Sequence, residues 1–446
     1  MKQRPRQPAA VTHRLVWLLL AGVVGFAALP TLALRALGEP NGLWTIPAWL
    51  RIDAGGDSWG AIEQALRHLD TKGTVDFYKD LYHSASHQFI YSPLSLVFYR
   101  LTQYIPGIDW YSQDAMNRVS WPMVPATIVV LALTIGYSLP RLGRLAAPRP
   151  MEWAAIGLAA ALAVLLSWPI MRGWHNGQIQ TWLNLLGMLA LLCWLLGGRA
   201  VVGVLLGLAC IVKPQLGVVV LWAALRGQWA VLAGCAVVVA GFAVASLAAY
   251  GLGMHLDYVA LMGLLSRRGE SFVDNQSVNG LLNRLWHLGP NLTFDGTHRS
   301  MVFDPWVYGL TMASSAAMLL AALAWRTQQT ALLGTLDLAT LLLVSTIAAP
   351  VAYTHHYGVI LPVFWLALLG LVSARERRVL PYALLACAYL PVSNSTAVTA
   401  ALADTAWNPL QSLPFFGALL LLGLLFWTRA RLEAQAHAHA HAYAHA

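Results

Sequence analysis

The chain has 446 residues, of which 58% are hydrophobic and only 11% charged, and its mean hydropathy is +0.60. Soluble domains carry about 25% charged residues, so the deficit, which runs the whole length, excludes a water-soluble globular protein and makes lipid the solvent for most of the chain. The formal charge of +9 comes mainly from Arg in short clusters, with only Lys2, Lys72, Lys79 and Lys213 as lysines; it builds no basic face for nucleic acid.

The N-terminus places Lys2, Arg4, Arg6 and Arg14 before an apolar run from Leu15 to Leu34. No small-residue cleavage site precedes a soluble domain, so this run reads as a retained first helix. The next region, 38–118, is rich in acidic residues and reads as a large loop. It carries an amphipathic pattern (Trp59, Ile62, Ala65, Leu66, Leu69) suited to a helix lying flat on a membrane. The stretch 89–105 is apolar but holds Pro93 and Arg100, and is read as not crossing fully.

Apolar runs of spanning length fall near 15–37, 119–140, 153–170, 179–197, 229–250, 305–325, 332–350, 357–373, 379–396 and 411–428. They are continuous and not alternating, which favours helices over a barrel. Residues 200–226 are apolar apart from Lys213-Pro214 at the centre, so two short helices meeting at that dipeptide are expected. Placing the Arg-bearing short loops (141–149, Arg199, Arg226, Arg326, 375–378, Arg429 and Arg431) in the cytoplasm gives about twelve crossings with both termini inside. The loops 38–118, 171–178, the tip of the hairpin at Lys213, 251–304, 351–356 and 397–410 then share the outer face. The expectation is an all-α polytopic membrane protein with one transmembrane catalytic domain over 1–430. A disordered tail over 431–446 follows, with His437, His439, His441 and His445 set mostly among alanines.

Polar clusters gather on the outer loops, where ionisable groups beside membrane helices are costly and usually functional. Asp53-Ala54-Gly55-Gly56-Asp57 offers two carboxylates beside flexible glycines; either a general base or a helix cap at Asp57 fits the spacing. Tyr91-Ser92-Pro93, after His83 and His87, marks an interfacial entry. Trp174-His175-Asn176-Gly177-Gln178-Ile179-Gln180 has more amides than capping needs, and points towards ligand contact. Lys213-Pro214-Gln215 sets a lone ammonium at a helix break, favouring an anionic lipid phosphate over snorkelling. Asp274-Asn275-Gln276-Ser277 precedes Arg284. His355-His356 follows Pro350, and adjacent His with no third ligand suits a phosphate or sugar hydroxyl better than a metal. Cys193, Cys210, Cys235 and Cys387 all sit in apolar runs, and neither metal nor cofactor is expected.

In this order, an acidic residue after the first helix, Tyr-x-Pro, Asn-Gly-Gln, Lys-Pro-Gln, Asn-Gln-Ser and Pro followed by His-His, the set resembles the GT-C superfamily of membrane glycosyltransferases. Within it the pattern is similar to the polyprenyl-phosphate-mannose-dependent α-mannosyltransferases, over roughly Asp57 to Pro362. The family's Tyr-Pro-Pro and Ser-Pro-x-Ser-Trp-x-His-His read here as Tyr91-Ser92-Pro93 and Ala349-Pro350-Val351-Ala352-Tyr353-Thr354-His355-His356. The resemblance implies a GT-C-like fold and an inverting transfer of a sugar, in this branch mannose, from a polyprenyl-phosphate donor to a lipid or glycan acceptor. It further implies a multi-pass bacterial inner-membrane enzyme whose site faces the periplasm. It implies Asp57 as base, with Asp53 as the alternative. Lys213, His355, His356 and Arg284 would hold the donor phosphate. Tyr91, His175, Asn176, Gln178, Gln215, Asn275 and Gln276 would contact sugar or acceptor. A polyprenyl-diphosphate glycan ligase and a lipid or sugar transporter are the competing readings.

Overall fold

The computed structural model describes residues 8–83, 88–107, 109, 111–287, 291–294, 303–325 and 330–444. Lys2, Arg4, Arg6, His87, Arg326 and His445 lie outside the described residues. The described residues form helices and turns without a named strand; a single antiparallel bridge joins Asn275 to Tyr353.

Among the described residues, six helices are long and apolar enough to cross a membrane: Ala9–Ala36, Gln113–Arg141, Trp229–Ser266, Pro305–Ala324, Thr354–Ser373 and Asn408–Ala438. A seventh is a broken pair, Pro150–Leu165 and Trp168–His175, bent by 57°. Five shorter apolar helices accompany them: Gln180–Leu195, Arg199–Val212, Pro214–Leu225, Ala331–Ile347 and Val379–Ser393. The chain is thus an all-helical, multi-pass membrane protein. Each run expected to span has its helix, and the 200–226 stretch divides at Lys213-Pro214 because Pro214 cannot continue the preceding helix.

Burial separates centre from rim. In Thr354–Ser373, 78% of the apolar window is buried, against 22% in Trp229–Ser266 and Pro305–Ala324. The rim helices turn Leu and Val outward, as at Val237, Val244, Val259 and Leu320. An exposed apolar surface of that extent needs lipid around it. Arg199–Val212 and Trp229–Ser266 approach at small residues: a Cβ on Gly203 would sit 2.1 Å from the Val231 carbonyl oxygen, and one on Gly234 2.3 Å from that of Ala200. Such close backbone contact is how helices associate in lipid.

Three expectations need adjusting. Gly251, at φ 75° and ψ 168°, breaks the Trp229–Ser266 helix, but the chain resumes as helix where a loop was expected. The amphipathic helix Asp57–Thr71 buries Trp59, Ile62, Ala65 and Leu66 against Phe77, Phe89, Leu96, Ile179 and Met254, so its apolar face meets protein where a lipid surface was expected. The last helix continues from Leu413 to Ala444, through the stretch expected to be disordered, where alanine at alternate positions favours the helical backbone. The 89–105 stretch holds a ten-residue helix, Pro93–Thr102, only about 15 Å long and half of what a bilayer requires.

Away from the polar motifs, the helices end in Arg: Arg141, Arg226 and, just beyond a turn, Arg375 to Arg378. There Asp337, buried in Ala331–Ile347, accepts from Arg226 Nε at 2.8 Å, from Arg429 at 2.8 Å and from Trp222 Nε1 at 2.8 Å.

Candidate active site

The Asp53–Asp57 segment reaches its place by lying on the backbone of the Asn-Gly-Gln loop. The Gly55 N–H donates to His175 O (2.6 Å), Asp57 N–H to Asn176 O (3.0 Å) and Ser58 N–H to Gly177 O (3.1 Å). Two glycines make this approach possible. Gly177 has φ +68°, and a Cβ on it would lie 2.0 Å from the Gly55 oxygen; a Cβ on Gly55 would lie 2.9 Å from the Asn176 oxygen. From the other side, Gln113 Nε2 and Asn117 Nδ2 donate to Ala54 O at 3.1 and 3.0 Å.

Asp57 opens the Asp57–Thr71 helix as its first residue, with Gly56 before it as the cap position. A carboxylate there is favoured by the helix dipole. Its side chain is exposed and accepts a hydrogen bond from Gln178 Nε2. Ser58, only 1% exposed, fixes which way that amide faces. The Ser58 hydroxyl accepts from Ile179 N–H (2.9 Å) and lies 3.0 Å from Gln178 Oε1 and 2.7 Å from Tyr91 OH. One hydroxyl has a single proton; donated to Gln178 Oε1, it leaves Tyr91 as the donor to Ser58 and turns Gln178 Nε2 to Asp57. Asp53, Ala54, Gly55, Gly56, Asp57, His175 and Asn176 together line an open hollow. Asp53 stands on its rim, exposed, 3.7 Å from Arg51.

The same loop reaches a second cluster two residues on. Lys213 Nζ donates to Gln180 Oε1 (2.7 Å) and lies 2.8 Å from His356 Nε2. His355 and His356 sit on the turn Thr354–Ile360 with ring centroids 4.7 Å apart, and Tyr353 stacks on His355 at 5.6 Å. Below Gln180 an apolar crevice runs between helices, lined among others by Leu183, Leu206, Ala209, Val219 and Leu341. Gln215 is exposed at the hairpin tip.

Three expected ligands are engaged elsewhere. Arg284 is fully buried and donates to the carbonyls of Ser271, Phe272 and Asn275 and to Ser412 Oγ. The Asn275 side chain bonds Glu270 O and Ala352 N–H, and that of Gln276 bonds the carbonyls of Val273 and Gln411. These three brace the 270–277 loop against the His-His turn; the structure does not bring their polar atoms to the hollow. The carboxyls facing this region are instead Glu270, which accepts from Tyr353 OH at 2.9 Å, and Asp274, which accepts from Thr354 Oγ1 at 2.9 Å. Burial, the largest influence, raises the Glu270 pKa to about 7. Ser58, Gln180, Glu270 and Asp274 carried no assigned role in the sequence reading. Gln180 was in view as part of its motif, and nothing local distinguishes Ser58 from a capping residue.

Among the described residues, no group of three or more His, Cys, Asp or Glu is placed to hold a metal ion. Set against known proteins, residues 89–350, more than half of the chain, match the model of glycosyltransferase family 87. The chain belongs to glycosyltransferase family 87. It is therefore a membrane glycosyltransferase. Neither a curated protein nor a solved structure matches it. The matched interval takes in Tyr91, the Asn-Gly-Gln loop and Lys213; Asp57 precedes it and His355-His356 follow it.

Proposed function

We propose that this glycosyltransferase transfers a sugar, mannose in the reading favoured here, from a polyprenyl monophosphate to a lipid-linked or glycan acceptor, with inversion. In this reading the helices form a GT-C-like bundle of about twelve crossings in a bacterial inner membrane, and the hollow faces the periplasm.

One observation carries the reading: the seven-residue segment Trp174–Gln180 hydrogen-bonds both a carboxylate and a lysine. Through Gln178 it orients Asp57; through Gln180 it holds Lys213 beside His356. Asp57 takes the proton of the acceptor hydroxyl as its oxygen attacks the anomeric carbon. The bond from that carbon to the phosphate oxygen breaks, and its electron pair leaves with the phosphate. A general base of this kind contributes about 10²–10⁴-fold. The departing phosphate needs charge stabilisation more than a proton, and Lys213, His355 and His356 supply it. The apolar crevice below Gln180 accepts the start of the prenyl chain, and His175 and Asn176, lining the hollow with Asp57, meet the acceptor.

The test is transfer from radiolabelled polyprenyl-phosphate-mannose by Asp57→Asn protein in nanodiscs. A loss of about 10²–10⁴-fold in kcat is expected. Near-normal transfer would remove Asp57 as base, and a wild-type preference for diphosphate donors would replace the donor class.

A further inference from the structure

Among the described residues, several cations meet a carboxylate or a carbonyl. Arg226 and Arg429 share Asp337, Arg284 binds three carbonyls, Arg378 and Arg431 share Glu376, and Arg100 pairs with Asp70. Arg172 differs. It lies in the last turn of Trp168–His175, the outer arm of the 57° break. Its Nε is shielded from solvent and meets no hydrogen-bond acceptor, and its side chain makes no ion pair among the described residues. Its guanidinium carbon lies 5.6 Å from the centre of the Trp168 ring.

The position is telling. The helix carrying Arg172 packs on the turn that carries the two histidines, and a Cβ on the next residue, Gly173, would lie 3.3 Å from His355 Cβ. The Arg172 charge bears on His355 on one side and on His175 on the other, and the Lys213 charge bears on His355 as well. Arg172 thus neighbours His175, which lines the hollow with Asp57, and His355, which adjoins the His356 that meets Lys213. A half-buried guanidinium without a counter-ion is costly, and the cost is offset when an anion occupies the space beside it. The guanidinium fork matches phosphate oxygens in pairs, which an ammonium cannot do.

We propose that Arg172 is a ligand of the donor phosphate, and that with Lys213 it forms a two-cation site matched to the leaving group. This rests on the lipid-phosphate reading above. The bound donor is a phosphodiester with one negative charge. When the sugar–phosphate bond breaks, both electrons stay on the phosphate, which departs as a monoester with up to two charges. Lys213 alone balances the donor; the pair balances the departing phosphate. Arg172 therefore acts more strongly on the transition state and on the product than on the bound donor.

The experiment measures binding of a tritiated polyprenyl monophosphate and of the matching uncharged polyprenol to full-length protein in nanodiscs, with single-turnover transfer alongside. Wild type is expected to prefer the monophosphate. Arg172→Gln should lose roughly 10–100-fold of that preference, the scale of losing a charged hydrogen-bond partner, while its polyprenol affinity stays unchanged and reports an intact fold. Arg172→Lys should fall between the two, and in Arg172→Gln the transfer rate should drop further than donor affinity. A wild type that does not distinguish monophosphate from polyprenol overturns the lipid-phosphate reading itself. A wild type that does distinguish them, with Arg172→Gln or Arg172→Lys keeping its full preference, overturns the assignment of Arg172 alone.

Discussion

Gly177→Ala tests whether the loop contact governs catalysis. The change adds one methyl group in a backbone conformation, φ +68°, that costs a non-glycine residue about 1–2 kcal/mol. The methyl would also lie 2.0 Å from the Gly55 oxygen and 2.6 Å from its carbon, which real Cβ atoms do not tolerate. Relief requires the 53–57 segment to retreat by about 1 Å, the scale of displacement at which catalytic geometry loses about 10²-fold. That retreat weakens the three backbone bonds from Gly55, Asp57 and Ser58, each contributing about 1 kcal/mol. Gly38→Ala is the control: Gly38 also has positive φ, +76°, but nothing stands within 4 Å of its added carbon. Both variants should show a lower melting temperature in detergent, while only Gly177→Ala loses about 10²-fold or more of sugar transfer in nanodiscs. Equal activity in Gly177→Ala and wild type would refute the reasoning, as would an equal loss in both variants.

Ser58→Ala leaves Gln178 Oε1 and the Ile179 N–H without their partner, so the amide is free to turn away from Asp57. A kcat loss of about tenfold is expected, from roughly 1–2 kcal/mol of lost orientation; steady-state kinetics with unchanged kcat would contradict it. Glu270 titrates near 7 in the folded protein, above the ordinary carboxyl range. The folded state therefore holds this proton more tightly than the unfolded one, so the stability it contributes is complete below about pH 4 and declines as pH rises to about 7. Melting curves from pH 4 to 8 should show that decline in wild type and a flatter profile in Glu270→Gln; parallel profiles would contradict it. Asp337→Ala leaves two buried guanidinium groups without their carboxylate and should cost about 3–5 kcal/mol; an unchanged melting temperature would remove Asp337 as the brace of that end.

The helices were legible because lipid imposes one rule, that an apolar run must satisfy its own backbone, and so length and continuity suffice to find them. The hairpin at Lys213-Pro214 was legible for a similar reason: proline lacks the N–H that would continue the helix. The loop contacts were not. That Gly177 serves Gly55, more than a hundred residues earlier, appears only when the two segments touch. The family resemblance implies Arg284 as a phosphate ligand, yet its acceptors include Ser412, 128 residues away. Arg172, set among Trp168, Met171 and Trp174, carries no motif that would mark it in the sequence. Its distinction is a buried Nε that meets no acceptor among the described residues, a property that exists only in three dimensions.

The Arg226–Asp337–Arg429 cluster also constrains the order in which the chain can enter the bilayer. Asp337 belongs to a helix that would insert with a bare carboxylate, but Arg226 is synthesised before it and is already in place to receive the charge. Arg429 emerges last and finds that carboxylate waiting, which gives the final helix a fixed depth and rotation. The Leu413–Ala444 helix is thereby held near its middle by an electrostatic latch that closes only once Arg429 has been made.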